Sequence, residues 1–124
     1  MTIIRTAIFA SVFAAFGAAA IATPAIAAPA YDGNWSVLII TQKGDCDRGY
    51  RYPVKISNGS VGYAGEASFT VKGKVEQTGA ITVTVSRGDK SARGSGTLTG
   101  NGGGGAWKTS GGECSGTWVA ERRS

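Results

Sequence analysis

Eight side-chain carboxylates, two cysteines and no histidine are what this chain has for moving protons or holding metal. Without histidine it lacks the usual general base, proton shuttle and metal ligand of neutral-pH chemistry. The acids are Asp32, Asp45, Asp47, Glu66, Glu76, Asp89, Glu113 and Glu121. A glycosidase needs two of these facing each other across a cleft. The pair closest in sequence, Asp45 and Asp47, flanks Cys46 beside Lys43 and Arg48 and reads as a solvated charge cluster. A calcium loop at Gly44-Asp45-Cys46-Asp47 is short of oxygen ligands. The expectation is a non-enzymatic protein with no metal and no cofactor.

Cys46 and Cys114 form an even pair, which in an exported chain reads as one disulfide. The bridge closes a loop of 68 residues. Chain entropy puts its stabilisation at about 4 kcal/mol, a large share of what a small domain possesses. Two cysteines with no histidine make a poor metal site.

The other side chains with binding potential are aromatic: Trp35, Tyr50, Tyr52, Tyr63, Trp107 and Trp118. With glycines between them to leave space, these rings could line a mouth for a small apolar ligand. The competing reading, which a chain this short favours, is that they simply fill the core. The bases Arg51, Lys55, Lys72, Lys74, Arg87, Lys90 and Arg93 are spread along the chain rather than gathered with the rings, so no nucleic-acid partner is expected.

The elements that must position these rings are strands. From Tyr31 onward apolar residues alternate rather than recur at helical spacing. Ile81-Thr82-Val83-Thr84-Val85-Ser86 has an aliphatic and a hydroxyl face, and Phe69 to Glu76 sets Phe69, Val71 and Val75 against Thr70, Lys72, Lys74 and Glu76. Asn58-Gly59 is the strongest hairpin signal, followed by Thr78-Gly79, Arg87-Gly88-Asp89 and Asn101-Gly102. Eight strands are predicted, at 33–41, 49–57, 60–65, 67–77, 80–87, 91–99, 104–109 and 113–121. Their short connections allow only antiparallel pairing in an up-and-down meander. One apolar face is hidden, and the edges removed, if the meander curls into a barrel; a two-sheet sandwich is the alternative. In a barrel the first and last strands are neighbours, which brings Cys46 and Cys114 together.

Two features break the pattern. Gly102 to Gly105 follow Asn101 and lack the helix and Lys-Ser/Thr of a phosphate loop, so they read as a flexible turn. Val37-Leu38-Ile39-Ile40 is apolar on both faces. If Trp35, Val37 and Ile39 point inward, Leu38 and Ile40 point outward and need cover: from the segment Ala28 to Asp32, a second copy or a partner.

The start of the chain reads as a Sec-type secretory signal. A single charge at Arg5 precedes an uncharged stretch over residues 6–22, then Pro24 and the small-residue exits Ala25-Ile26-Ala27 and Ala28-Pro29-Ala30. Cleavage after Ala27 is preferred to cleavage after Ala30. Residues 1–27 are therefore the signal and 28–124 a single domain, with no membrane span after cleavage and a periplasmic or secreted destination. Removing 27 of 124 residues leaves 97, and losing Arg5 lowers the net charge from +5 to +4. That mild charge aids solubility more than it implies a polyanionic partner.

Gly-x-Trp occurs three times, at Gly33-Asn34-Trp35, Gly105-Ala106-Trp107 and Gly116-Thr117-Trp118. The first copy is similar to the opening motif of lipocalins and the wider calycin group, antiparallel barrels in which a basic residue of the last strand packs across that Trp. The resemblance implies Arg122 or Arg123 opposite Trp35, as a cation–π contact. Typical lipocalins are longer and end in a helix; avidin-like barrels are closer in size. The mature pattern, from Tyr31-Asp32-Gly33-Asn34-Trp35-Ser36-Val37 through Gly44-Asp45-Cys46-Asp47 and Tyr50-Arg51-Tyr52 to Cys114-Ser115-Gly116-Thr117-Trp118-Val119-Ala120-Glu121-Arg122-Arg123, also resembles small exported proteins of alphaproteobacteria, rhizobia above all. That likeness implies a compartment and no activity. The expected function is a non-enzymatic exported barrel that binds a small apolar ligand or an envelope partner, with inhibition of an exported protease or lysozyme as the alternative.

Overall fold

The computed structural model describes residues 29–124. The expected signal lies outside them, apart from the second cut position at Ala30. A short 3-10 turn, Pro29–Tyr31, leads into eight strands: β1 (Gly33–Lys43), β2 (Gly49–Ser57), β3 (Ser60–Tyr63), β4 (Thr70–Val75), β5 (Ala80–Arg87), β6 (Lys90–Thr99), β7 (Gly102–Thr109) and β8 (Ser115–Arg122). Each pairs antiparallel with the next, and β1 pairs with β8, so the meander closes into a barrel rather than a sandwich. The reason is the alternation: inward positions carry Trp35, Val54, Ile56, Val61, Val71, Val75, Ile81 and Leu98, all buried. A closed cylinder hides them and removes the free edges, except near one end, where β3 and β4 pair only at Ser60–Lys74 and Val61–Gly73 and β2 meets β3 only from Val54 to Ser57. The outer wall holds Lys72, Lys74, Thr82, Thr84, Arg93, Ser95 and Lys108, whereas a lipid-spanning barrel is apolar outside.

Asn58 and Gly59 both adopt positive φ, 51° and 80°, which is the backbone a two-residue hairpin between β2 and β3 requires. Cys46 in the β1–β2 loop is bonded to Cys114, which lies just before β8 rather than inside it, with 6.2 Å between their Cα atoms. The disulfide therefore latches the β1–β8 seam at one end of the barrel.

The glycine run departs from expectation. Gly102–Gly105 are not a turn but the first half of β7, paired to β6 on one side and β8 on the other; the turn is Gly100-Asn101. A Cβ on Gly105 would strike the Ser95 carbonyl, and one on Gly96, its register partner, the Gly104 carbonyl. The strands approach so closely here that only hydrogen fits. Residues 64–65 and 67–69, predicted at the facing ends of two strands, instead form one loop with Glu66, and β3 and β4 are short. This loop folds back so that Gly65 lies against the Tyr63 ring.

One end of the barrel is shut. The Trp35 indole N–H donates to the Tyr31 carbonyl at 2.9 Å, and the Asp32 carboxylate accepts from the Gly59 amide at 3.4 Å. The 3-10 turn thus caps this end and does not cover Leu38 and Ile40. Trp35, Ile56, Val75 and Leu98 form the floor, each no more than 2 % exposed.

Candidate functional site

Above that floor the barrel is hollow. A cavity of about 520 Å³ runs from Trp35 and Leu98 to the opposite end, where the β1–β2 loop and the β5–β6 hairpin form its rim. The filled core favoured by chain length is not what the strands build, and two of the three tryptophans explain why.

The Gly-x-Trp copies on β7 and β8 run antiparallel in a register that sets Gly105 against Trp118 and Trp107 against Gly116. Each ring therefore lies beside the glycine of the other copy. A Cβ on Gly96 of the next strand would come within 2.7 Å of Trp118 Cζ2, so this ring spreads over two glycines of the wall. The indole N–H groups point into the wall as well. Trp118 Nε1 donates to the Ser95 carbonyl at 3.2 Å, and Trp107 Nε1 is shared between the Ile40 and Thr117 carbonyls at 3.1 Å. With their polar atoms satisfied by main chain, the rings need no partner in the lumen. Two residues that could plug a narrow barrel instead become its lining.

Val37, Ile39, Val83, Val85 and Ala92 supply the middle of the wall. Nearer the mouth Tyr52 meets Tyr50 edge-on, with ring centroids 4.7 Å apart, and Phe69 at 4.9 Å. Tyr63 packs on Tyr52 and Phe69 at 6.3 and 5.6 Å, but sits under the 64–69 loop and does not line the cavity. Of the six rings singled out in the sequence, Trp35, Tyr50, Tyr52, Trp107 and Trp118 line the lumen, and Phe69 takes the place expected of Tyr63. The signal for Phe69 was present in its alternation with Val71 and Val75.

The rim is polar. Asp45 and Asp47 line it from the β1–β2 loop, Arg87 and Lys90 from the β5–β6 hairpin. Arg87 lies over the Phe69 ring, 5.3 Å from its centroid. Burial raises the pKa of the Tyr52 phenol, the Tyr50 and Tyr63 hydroxyls add to the rise, and Arg87 opposes it. Tyr52 is thus held neutral and offers a hydroxyl rather than a base. Glu113, fully exposed, is held below the usual carboxylate range first by the Thr109 hydroxyl at 2.7 Å. Among the described residues no group of three or more His, Cys, Asp or Glu side chains could hold a metal ion.

Leu38 and Ile40 point outward, half-buried. Leu38 faces Val119 of β8, which is 46 % exposed, and Arg51 of β2, whose guanidinium donates to Ser36 Oγ at 3.0 Å. Val119 extends this outer apolar area beyond the two residues apparent in the sequence.

No protein-family model, no curated protein and no solved structure matches the chain.

Proposed function

We propose that this protein is a non-catalytic exported barrel that binds a small, largely apolar molecule in its lumen. The observation that carries the reading is the hollow interior: about 520 Å³, walled by aliphatic and aromatic side chains, with the indole N–H groups of Trp35, Trp107 and Trp118 already bonded to main chain. Small-molecule sites occupy roughly 300–1,000 Å³ and are mostly apolar with a few polar groups at fixed positions. The disulfide supports an oxidising compartment outside the cytoplasm. The Trp35–Arg122 pairing supports the calycin likeness. Both cysteines are bonded and histidine is absent, so the reading assigns the lumen no catalytic group.

The test is titration with a neutral environment-sensitive probe, N-phenyl-1-naphthylamine, excited through the tryptophans. Trp107 and Trp118 line the cavity, so saturable energy transfer at one probe per chain is expected. No response to this probe, together with no tryptophan quenching by a panel of neutral alkanes and arenes, overturns the reading.

A further inference from the structure

The lumen is largely apolar, with Thr41 and Thr109 among its few polar lining residues, yet its rim carries charge of both signs, and the two signs are placed differently. On β5 the inward series Ile81, Val83, Val85 ends in Arg87; on β6 the series Leu98, Gly96, Gly94, Ala92 ends in Lys90. Arg87 and Lys90 are register partners, the last pair before the two-residue turn Gly88-Asp89. Strand alternation therefore delivers two cations, side by side, to the lumen side of the mouth. Asp45 and Asp47 come instead from the loop that carries the disulfide.

Neither cation is neutralised by an ion pair. The one salt bridge among the described residues is Arg123–Glu121, 3.3 Å, at the other end of the barrel. Glu113, the carboxylate that feels Lys90, is itself engaged by Thr109. Arg87 rests on Phe69, which packs against Tyr52 and Tyr50, so its guanidinium sits on the aromatic collar that the cavity opens through. Of the two rim charges that act on the Tyr52 hydroxyl, Arg87 acts more strongly than Asp47.

We infer that the lumen selects amphiphiles with an anionic head, the apolar body lying along Val37, Ile39, Val83 and Val85 and the head held at Arg87 and Lys90. This rests on the ligand-binding reading above and names the chemical class of its ligand. The division of labour is physical. The body gains from leaving water in proportion to its apolar area. The head stays at the wet rim, so it escapes the desolvation penalty of a buried ion while accepting charge-assisted hydrogen bonds, bidentate from the guanidinium. A hydroxyl head gains less there, and an ammonium head is repelled.

Three probes of equal chain length separate these outcomes: decanoate, decan-1-ol and decyltrimethylammonium, each below its micellar concentration, by calorimetry at neutral pH and low salt. Decanoate should bind at least ten-fold tighter than the alcohol, and the ammonium most weakly. R87Q/K90Q should bring all three to similar affinity, and R87E/K90E should reverse the order. Both positions flank an exposed hairpin turn, and each variant is checked for an unchanged melting transition. Equal affinities in the wild type overturn the inference and leave the apolar lumen standing, as does a decanoate preference that persists in R87Q/K90Q. Failure of all three to bind overturns the inference, while the N-phenyl-1-naphthylamine titration decides separately whether the lumen binds apolar molecules at all.

Discussion

The guanidinium of Arg122 lies 4.9 Å from the centroid of the Trp35 ring, directly across the β1–β8 seam from it in register. It also donates to the carbonyls of Ala30, Asp32 and Gly100, and its Nε to Asn101 Oδ1 at 2.9 Å. One side chain thus ties the entry turn, the β6–β7 turn and the floor ring together. Arg123, next to it, donates its backbone N–H to the Asn34 carbonyl, but its side chain makes an exposed ion pair with Glu121. The two arginines should respond differently to truncation. Arg122→Ala should cost about 2 kcal/mol, since a cation–π contact and charge-assisted hydrogen bonds are lost together; for a domain of this size that lowers Tm by roughly 8–16 °C. Arg123→Ala should cost less than about 0.5 kcal/mol. Thermal melts of the two variants check the contrast.

Glycines on the barrel wall fall into two kinds, and alanine scanning should separate them. A Cβ at Gly96 meets the Gly104 carbonyl and the Trp118 ring, and neither can retreat without moving a strand or the lumen lining. Gly96→Ala should destabilise by about 2 kcal/mol, within the range for overpacking. Gly62 has nothing within 4 Å of the same position and no positive φ. Gly62→Ala should be neutral or stabilise by up to about 1 kcal/mol, because it restricts the unfolded chain at no steric cost. Urea midpoints at constant slope provide the measurement.

The same glycines mark where sequence reasoning reached its limit. Strand alternation along Ile81–Ser86 and Phe69–Glu76 is a backbone-level pattern, so strand number, antiparallel order and closure all followed from it. The disulfide followed from closure. Gly102–Gly105, by contrast, have no side chain to alternate; a glycine in a turn and a glycine crowded by neighbouring strands look alike until the neighbours are known. Tyr63 and Phe69 traded places because the 64–69 loop folds back, a consequence of contacts between strands rather than of either residue. The Gly-x-Trp repeats were visible, but that each copy's Gly faces the other copy's Trp, and so opens the lumen, depends on the β7–β8 register.

Alkaline pH should expose the burial of Tyr52. Its folded pKa is raised above the usual 10.0, chiefly by desolvation. Below pH 10 the phenol is neutral in both states and its contribution is fully present. Above that value the unfolded chain ionises first and binds fewer protons than the folded one, so stability falls as pH rises towards the folded pKa. Tyr52→Phe should lessen that alkaline loss while leaving the neutral-pH profile flat. Denaturant titrations from pH 7 upward, with phenolate absorbance followed in parallel, read both quantities; an alkaline limb identical in the two proteins counts against a buried phenol.

A hollow barrel and a packed one differ most sharply in how they receive a large side chain. Ala92 faces the lumen between Val85 and Thr109, with cavity in front of it. Val75 faces the floor, 1 % exposed. Ala92→Phe should therefore be accepted at a cost under about 1 kcal/mol, because the ring enters space that no atom occupies. Val75→Phe must displace Ile56, Leu98 or Trp35 and should cost about 1–3 kcal/mol. Binding should move the opposite way: Ala92→Phe fills the ligand's volume and should weaken N-phenyl-1-naphthylamine at least ten-fold. The floor variant, assayed below its melting transition, should keep most of its affinity. Equal destabilisation by both substitutions, measured by thermal melting, means that the space above Trp35 is closed in solution, and a closed lumen leaves Trp107 and Trp118 as core residues and nothing more.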